Sequence, residues 1–362
     1  LDEFPWAVQA DPTLEGTLQN AWDRALEALP ILLILVGSDV TMMERLSEHD
    51  RPLFGRAGIM TVRPFNPGEC AALMSDAPAL SIFDAYLITG GYPRLLSRLA
   101  RAESAMRFVV DQLTDEASDL AIMAQLSLDA EFPLDSQARQ VLSAIGYAEL
   151  GTMSFSRVTQ GLPGTQATVQ TAVTRALRLL VDIKRVVAID VPVGAPKNTR
   201  LRRYRVDDPY LRFWFRFVEP QLANMSRGRS DIAIQAFQRG WQTWRGKTME
   251  PVVREAVLRL APSLDRLRDV ESVGGWWNRN NSVEVDLVGA SRHGDIRTIG
   301  SIKWRERAPF DVRDRHELDA ARHAVSGAER AQLIAVSPAG LAHDVDVDMV
   351  LTADDLLAAW HA

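Results

Sequence analysis

The chain has 362 residues, of which 47% are hydrophobic and 24% charged, and its formal net charge is −6 at pH 7. This composition is typical of globular protein with about two to four domains, and the negative charge argues against a protein that coats nucleic acid. The longest apolar run, residues 31–36, is far shorter than the ~18 residues that span a bilayer, so we expect no membrane partner and a cytoplasmic location. The single cysteine, Cys70, excludes an internal disulfide and a cysteine-rich zinc site.

An acidic pair stands in Leu1-Asp2-Glu3-Phe4-Pro5, directly after an apolar residue. In P-loop nucleotidases an Asp at the tip of a buried strand holds Mg²⁺, and a Glu beside it polarises the attacking water. The phosphate-binding sequence G-x-x-x-x-G-K-[ST] is absent, and in the nearest approach, residues 240–248, the first glycine stands one residue too early and follows a predicted helix. Leu1 is not a natural initiator, so we expect that a segment carrying this loop was removed or lost.

The next elements predict part of an α/β sheet and then a helical region. Residues 31–36 are apolar on both faces, which is typical of a buried parallel strand, and Ser38 follows at the carboxyl end, where open α/β sheets bind their ligands. A turn at 51–56 contains Arg56, and residues 59–62 predict a last short strand. Residues 67–130 have helical periodicity, interrupted by Gly90-Gly91-Tyr92-Pro93, and resemble a helical lid.

Helices at 154–160 and 166–181, followed by a basic hairpin at 186–191 and 202–206, predict a winged helix over residues 131–209. One interpretation places the polar helix face in a DNA groove, with two arginines on the wing. The DNA-contacting residues are then Gln170, Thr174, Arg178, Arg202 and Arg203. The alternative, weighed equally, is a protein-contact module that couples an ATPase to its output. The aromatic stretch at 210–217 predicts core packing rather than base stacking.

The last part, residues 210–362, predicts a linker helix and an α/β domain with a second acidic site. Glu284 and Asp286 alternate with apolar residues on one predicted strand, and Ser301 and Lys303 share a face on the next. Glu250 and Glu255 on the preceding helix could supply a further carboxylate. Oxygen ligands and a lysine suit divalent-metal phosphodiester hydrolysis, whereas a plain salt bridge between Asp286 and Lys303 is the competing interpretation.

Taken together, these segments resemble the archaeal-type P-loop ATPases whose carboxy-terminal domain is of unknown function and is similar to restriction-endonuclease-like nucleases. The resemblance covers nearly the whole chain, and its motifs are specific in combination rather than singly. It rests on residues 1–5, 35–38 with Met42-Met43, 52–56, 90–93, 204–209 running into 211–217, and 283–288 before Lys303-Trp304.

The resemblance implies a role for each matching residue. For ATP and Mg²⁺ it implies Asp2 as metal ligand, Glu3 for the hydrolytic water, Ser38 as phosphate sensor, Arg56 as arginine finger, and Gly91 and Pro93 of the lid motif near the nucleotide. For Mg²⁺ or Mn²⁺ in the nuclease-like domain it implies Glu255 and Asp286 as ligands and Lys303 as catalytic lysine, with Glu284 as a neighbour. An arginine finger often works across a subunit boundary, so a homo-oligomer is an expected partner beside DNA.

The sequence therefore predicts an α/β multidomain protein: a partial P-loop ATPase sheet (1–66), a helical lid (67–130), a winged helix (131–209) and a restriction-endonuclease-like domain (210–362). The leading hypothesis is the larger part of a P-loop ATPase, inactive on ATP by itself, that acts on a DNA-associated nuclease-like domain. Ser301 stands where the nuclease pattern has a glutamate, which removes a charge from the metal site. An active, metal-dependent DNA nuclease regulated by the ATPase half, and a non-enzymatic interaction module with decayed sites, remain as alternatives.

Overall fold

The protein is a mixed α/β structure with many helices and a five-stranded sheet. The computed structural model describes residues 1–37, 40–196 and 198–361. The chain forms two compact units, Leu1–Arg63 and Pro64–Ala362. Ser38, a predicted phosphate sensor, lies outside the described residues.

The first unit is helical, with a small core of its own. Its helices are α1 (Phe4–Ala10), α2 (Leu14–Ala21), which continues as a π-helical turn (Trp22–Leu26), and α3 (Val40–Leu46). Phe4, Val8, Leu46 and Leu53 form the buried cluster.

The two strands predicted in this unit, at 31–36 and 59–62, are not formed: the described residues of 1–63 contain no β-strand. Leu32 is 84% exposed and Val62 81% exposed, so these runs are not buried on both faces. A strand needs hydrogen-bonding neighbours along its length. The 31–36 run has such a neighbour only at its carboxyl end, where it lies beside Leu1 and Phe4.

The second unit begins with a bundle of short helices. Gly90 and Gly91, both with positive φ, separate the second and third of these helices. Caps define several helix starts, for example Asn66, whose side chain accepts the Glu69 N–H in a capping box. The helices are α4 (Pro67–Leu73), α5 (Ala79–Thr89), α6 (Pro93–Leu99), α7 (Ala105–Leu113) and α8 (Asp119–Glu131).

Three further helices and a hairpin follow. The helices are α9 (Gln137–Tyr147), α10 (Phe155–Gln160) and α11 (Gln166–Arg178), the last extended by a π-helical segment (Leu179–Ile183). Strands β1 (Val187–Asp190) and β2 (Arg203–Val206) pair antiparallel, and an isolated bridge joins Ser154 to Arg203. The hairpin therefore closes onto the start of α10.

The aromatic stretch leads into a long helix. It comprises α12 (Pro209–Phe213), a π-helical turn (Trp214–Val218), a 3₁₀ turn (Glu219–Gln221) and α13 (Leu222–Met225), and α14 (Ser230–Leu260) follows. Phe213, Trp214 and Phe217 are fully buried, and the ring centroids of Phe213 and Phe217 lie 5.2 Å apart. The predicted core role of this stretch is confirmed.

The five-stranded sheet has the order β3-β4-β5-β6-β7. Its first three strands are antiparallel, and the last three are parallel to one another. Leu287 and Ile302 pack into the core that contains α14. Val288 and Ile299 pack instead with Leu318, which belongs to the helix Val312–Ala324. The two helices therefore cover opposite faces of the sheet. The elements are β3 (Ser272–Trp277), β4 (Glu284–Ala290), β5 (Ile296–Ile302), α15 (Val312–Ala324), β6 (Gln332–Val336), β7 (Met349–Leu351) and α16 (Ala353–Leu357).

A bulge changes the predicted faces of β4. Gly274 pairs with Val288 but Trp276 pairs with Val285, so β4 has one more residue than β3 in this interval. Val285 and Leu287, predicted to share a face, therefore pack into different clusters. The shared face predicted for Val285 and Leu287 is therefore wrong.

A buried ion pair joins the first helices of the second unit to α14. Arg245 donates to both carboxylate oxygens of Asp84, from Nε at 2.5 Å and from Nη2 at 2.9 Å. Burial raises the pKa of Asp84 to about 6, although Arg245 opposes this change. Removing one partner of such a pair leaves a buried charge unpaired, which typically costs about 3–5 kcal/mol.

Among the described helices, none combines the length and the apolar character that crossing a lipid bilayer requires.

Gly91 is expected to tolerate no side chain. Its φ is +74°, and an added Cβ would lie 1.9 Å from the Phe65 carbonyl oxygen. We expect Gly91→Ala to lower the free energy of unfolding by more than about 3 kcal/mol in denaturant titrations. Gly246→Ala is the control, because an added Cβ within α14 meets nothing within 4 Å. That variant should gain about 0.5–1 kcal/mol, and equal effects of the two changes would contradict the close approach at Gly91.

Candidate functional site

The acidic pair at the start of the chain lies beside the 31–36 run in a parallel arrangement. The Leu1 amino group donates to the Ile34 carbonyl at 2.8 Å, and Val36 N–H donates to the Leu1 carbonyl at 2.8 Å. Phe4 N–H then donates to the Val36 carbonyl at 2.9 Å. Donor and acceptor numbers rise together, which is the pattern of parallel segments. The carboxyl ends of both segments, Asp2-Glu3 and Gly37, therefore lie at the same edge.

Glu3 has an unusual backbone for a residue with a side chain. Its φ is +49° and its ψ +38°, in the left-handed region that glycine favours. The Asp2 carboxylate accepts the Glu3 N–H through Oδ1 at 3.0 Å, which leaves Oδ2 for another partner. Both residues are exposed. The turn thus presents two adjacent carboxylates at the end of the extended segment.

Arg56, predicted as an arginine finger, is held by Asp23. Its Nε and Nη2 donate to the two carboxylate oxygens at 2.8 and 2.9 Å, and its Nη1 donates to the Pro52 carbonyl at 3.1 Å. Hydrogen bonding to Asp23 raises the pKa of Arg56, and the same contact lowers the pKa of Asp23. Two of the five N–H donors of Arg56 are thus committed to Asp23.

The Gly90-Gly91-Tyr92-Pro93 motif packs against the start of α12. The Tyr92 hydroxyl donates to Asp208 Oδ2 at 2.7 Å, and the rings of Tyr92 and Tyr210 lie edge to face with centroids 5.7 Å apart. A Cβ on Gly90 would lie 2.9 Å from Tyr210 Cβ. Pro93 begins α6. Gly91 and Pro93 are therefore placed in a junction between the helical region and the segment after the hairpin.

The five residues predicted to contact DNA fall into two environments. Gln170, Thr174 and Arg178 are exposed on α11 and line an open groove of about 420 Å³, together with Phe155 and Arg175. Arg202 is half-buried. The structure brings the helix residues together on one surface.

Arg203, by contrast, is only 7% exposed and turns toward the five-stranded sheet. Its Nη1 donates to Glu284 at 3.0 Å, its Nη2 donates to Asn281 at 3.0 Å, and its guanidinium lies 4.0 Å from the Trp277 ring centroid. This buried environment differs from the exposed wing surface that the sequence predicts. The partners are distant in sequence, with separations of 81 residues for Glu284 and 78 for Asn281. Arg203 fastens the hairpin to the sheet.

The helix acid that lies near Asp286 is Glu250. It is 5% exposed, and both of its oxygens are engaged: Lys247 Nζ lies 2.9 Å from Oε1, and Arg254 Nη2 donates to Oε2 at 2.8 Å. Burial, followed by the charge of Asp286, raises the pKa of Glu250 to about 7, while the two cations oppose this change. Arg254 also donates from Nε to the Asp286 carbonyl at 2.7 Å.

The acid predicted as a metal ligand on this helix, Glu255, has a different setting. It is exposed, and it accepts a hydrogen bond from Arg259 at 2.7 Å. The sequence predicts both Glu250 and Glu255 as candidate carboxylates, and only the packing of α14 distinguishes them. The apolar residues Val253, Ala256 and Val257 mark the buried side of the helix, which is the signal that points to Glu250.

Asp286 takes part in the sheet rather than projecting from it. Its Oδ2 accepts Ile302 N–H at 2.9 Å and the Ser301 hydroxyl at 3.3 Å. The carboxylate thus replaces a backbone carbonyl at the point where the β4–β5 ladder ends at Leu287 and Gly300. One oxygen of Asp286 is committed to holding these two strands together.

Lys303 follows β5 and reaches the helix α15. Its Nζ lies 3.1 Å from Glu317 Oε2 and 3.3 Å from Asp314 Oδ1. Asp314 also accepts two hydrogen bonds from Arg305, at 2.8 and 3.0 Å. Neither an ion pair with Asp286 nor a shared site with Glu250 is formed by this lysine within the described residues.

The residues of the C-terminal site do not fit a divalent metal as they stand. Across residues 1–37, 40–196 and 198–361, no group of three or more His, Cys, Asp or Glu side chains could hold an ion. Glu250 is bound to two cations, and Asp286 to the β5 backbone. A divalent ion needs several free oxygen ligands converging on one point.

Replacing Glu250 by Gln should change how stability depends on pH. Its pKa is about 7 in the folded chain and 4.5 in a free side chain, so it contributes stability below pH 4.5 that is lost as the pH rises through 7. We expect the free energy of unfolding of the parent, relative to Glu250→Gln, to fall by up to about 3 kcal/mol across this range. The exposed change Glu255→Gln is the control, and a difference that stays flat or rises with pH would contradict the raised pKa.

The comparisons with known proteins point to the segment that carries this acid cluster. A model of the family DUF234, described as "Archaea bacterial proteins of unknown function", matches residues 214–317. An uncharacterized protein of Methanocaldococcus jannaschii is 21% identical over 327 residues, which cover 86% of this chain and 69% of the relative. No solved structure matches the chain. Over α14 and the first three strands of the sheet, including Glu250, Asp286 and Lys303, the chain is similar to that family.

Proposed function

We propose that this chain is the larger part of a P-loop ATP hydrolase, and that its nucleotide state acts on a winged helix and a nuclease-like carboxy-terminal domain. The observation that carries the proposal is the parallel pairing of Leu1 with Ile34 and Val36. In open α/β sheets the ligand binds at the carboxyl ends of such neighbouring segments. Asp2 and Glu3 stand at that end.

Each acid of the pair has a role in this proposal. Asp2 is exposed and keeps one carboxylate oxygen outside its local hydrogen bond, which suits Mg²⁺, an ion that prefers hard oxygen ligands. Glu3 orients the attacking water beside it, and Mg²⁺ neutralises charge that develops on the phosphates. Arg56 serves as the arginine finger after exchanging Asp23 for a phosphate.

These 362 residues contain no G-x-x-x-x-G-K-[ST] sequence, so ATP hydrolysis by this mechanism requires a phosphate-binding loop from other polypeptide. The loop's backbone N–H groups and lysine provide most of the hold on the phosphates. These residues alone are therefore expected not to turn over ATP.

Contacts within the second unit support coupling between the lid motif and the sheet. The Tyr92 hydroxyl donates a hydrogen bond to Asp208, which caps α12 directly after β2. Arg203, at the start of β2, donates a hydrogen bond to Glu284 of β4. A shift of the Gly90–Pro93 turn would therefore act on the hairpin and, through Arg203, on the sheet. The buried position of Arg203 favours this coupling role over a wing that binds DNA.

The exposed face of α11 remains the candidate DNA contact, with Arg175 and Arg178 beside Gln170 and Thr174. We propose that the nuclease-like domain binds DNA without cleaving it. Ser301 replaces a ligand carboxylate, Glu250 is bound by two cations, and Lys303 is bound by Glu317 and Asp314.

The ATPase assignment is tested with the protein as its gene encodes it, including any residues upstream of Leu1. Glu3→Gln should lower kcat for ATP hydrolysis by about 100-fold or more, because it removes the group that activates water. Initial rates of phosphate release at saturating Mg²⁺ and ATP measure this effect.

Glu48→Gln, an exposed glutamate of the same unit, is the matched control and should keep the parent rate. Equal turnover in the Glu3→Gln variant and the parent would reject the role of Glu3. An upstream coding sequence without a phosphate loop would reject the P-loop assignment itself.

Cleavage of DNA is the rival activity, and the acidic pair Glu250 and Asp286 is the observation in its favour. We expect no cleavage of plasmid or linear DNA with Mg²⁺ or Mn²⁺, because both oxygens of Glu250 are bound by cations and one oxygen of Asp286 is bonded to β5. The parent, Lys303→Ala and Asp286→Asn are compared on gels, with Lys184→Ala, which removes a lysine paired with Glu131, as control. Cleavage that is lost in the first two variants but kept in the control would establish a nuclease.

A further inference from the structure

A small cavity in the second unit contains a buried arginine without a partner. Arg212 of α12 is 6% exposed, and its Nε and Nη1 are buried with no hydrogen-bond acceptor. The cavity has a volume of about 20 Å³ and lies between the end of α9, strand β2, α12 and α14. Its lining includes Ala148, Arg205, Trp244 and Thr248 as well as Arg212.

The neighbouring acids that the structure describes form no direct bond with Arg212. Arg205 lies close enough to lower its pKa, which burial and this repulsion bring to about 10. Arg205 itself is paired with Asp190 and Asp207, and the Asp208 carboxylate is taken by Tyr92 and the Leu211 N–H. Within the described part of the chain, Arg212 forms no ion pair. Asp207 and Asp208 attract its charge from a distance, but within the described residues Nε and Nη1 have no acceptor.

Water alone is an incomplete partner for this group. A cavity of about 10–15 Å³ is enough for one water, so water can enter, but a neutral molecule adds no negative charge in direct contact with the buried guanidinium. An anion would accept hydrogen bonds from Nε or Nη1 and also neutralise the guanidinium, and such charge-assisted bonds are the stronger ones.

The size and surroundings of the cavity select the kind of anion. About 20 Å³ is room for one water-sized group, so a single carboxylate oxygen fits beside the guanidinium, whereas a tetrahedral phosphate is too large. Glu149 is exposed and lines the outer end, where its negative charge disfavours a doubly charged ligand. The Trp244 ring supplies an apolar wall.

We propose that the cavity at Arg212 is a binding site for a singly charged carboxylate, which enters past Glu149 and bonds the buried guanidinium. The site is separate from the acidic pair at Asp2-Glu3 and from the cluster around Glu250. The carboxylate belongs either to a free small acid or to the end of a peptide.

The test measures thermal unfolding and calorimetric binding of the whole chain with sodium formate, acetate, phosphate and chloride at equal ionic strength. We expect formate and acetate to raise Tm by about 2 °C or more over chloride at saturation. Phosphate also raises Tm by exclusion from the protein surface, so it is compared by calorimetry, where it should bind more weakly than formate. Arg212→Met should weaken formate binding at least about tenfold. A peptide with a free carboxyl end, compared with its amidated form, distinguishes the two sources.

Two further variants keep the test decisive if Arg212→Met fails to fold. Ala148→Met fills the cavity while leaving Arg212 in place, and it should also abolish the formate effect. Arg139→Met is the matched control, because Arg139 is a buried arginine with an unpaired Nη1 outside this cavity, and it should keep the effect. A formate effect on Tm equal to that of chloride, tighter calorimetric binding of phosphate than of formate, or a formate effect that persists in Ala148→Met would overturn the proposal.

Discussion

The carboxylate of Asp208 is the constraint on which the second unit depends. It accepts the Tyr92 hydroxyl at 2.7 Å from the lid motif and the Leu211 N–H at 2.8 Å as the cap of α12. Burial raises the pKa of this carboxyl, and the two donors oppose that change. Because α12 starts at this cap, Asp208 fixes the positions of Tyr210 and Arg212 within the helix. The aromatic residues that follow in the chain are positioned by the same helix start. Position 90 must be a glycine because an added Cβ would lie 2.9 Å from Tyr210 Cβ.

From this junction a chain of charged contacts continues to the sheet. Strand β2 ends just before Asp208, and Arg203 at its other end binds Glu284, Asn281 and the face of Trp277. Lys247 also lies 4.0 Å from Glu284 and binds Glu250. Glu250, a candidate for a further metal carboxylate, and its neighbour Glu284 are thus engaged by cations of the chain itself. This arrangement is typical of a cluster that fixes neighbouring elements, and it supports a coupling role over hydrolysis.

Local patterns in the sequence predict a good part of the fold, whereas features that depend on distant partners are missed. The core role of Phe213, Trp214 and Phe217 follows from helical spacing. The 31–36 run has the composition of a strand, yet only Leu1 and Phe4 pair with its end, so no strand forms. The bulge in β4 depends on how β3 pairs with it, which alternation alone cannot reveal. Arg203 looks like a surface cation because the residues that bury it lie far along the chain.

The site residues show the same division between local and distant information. Asp2 and Glu3 are recognised from their neighbours in sequence, and the parallel pairing beside Val36 adds a spatial reason for the interpretation. Glu250 and Glu255 differ only in which side of α14 they occupy, and that depends on the sheet against which the helix packs.

The most direct measurement is a structure of the gene-encoded protein with Mg²⁺ and a non-hydrolysable ATP analogue. We predict Mg²⁺ beside the Asp2 carboxylate, with Leu1 paired in parallel to Ile34 and Val36; nucleotide bound elsewhere, with Asp2 and Glu3 in solvent, would contradict the ATPase assignment.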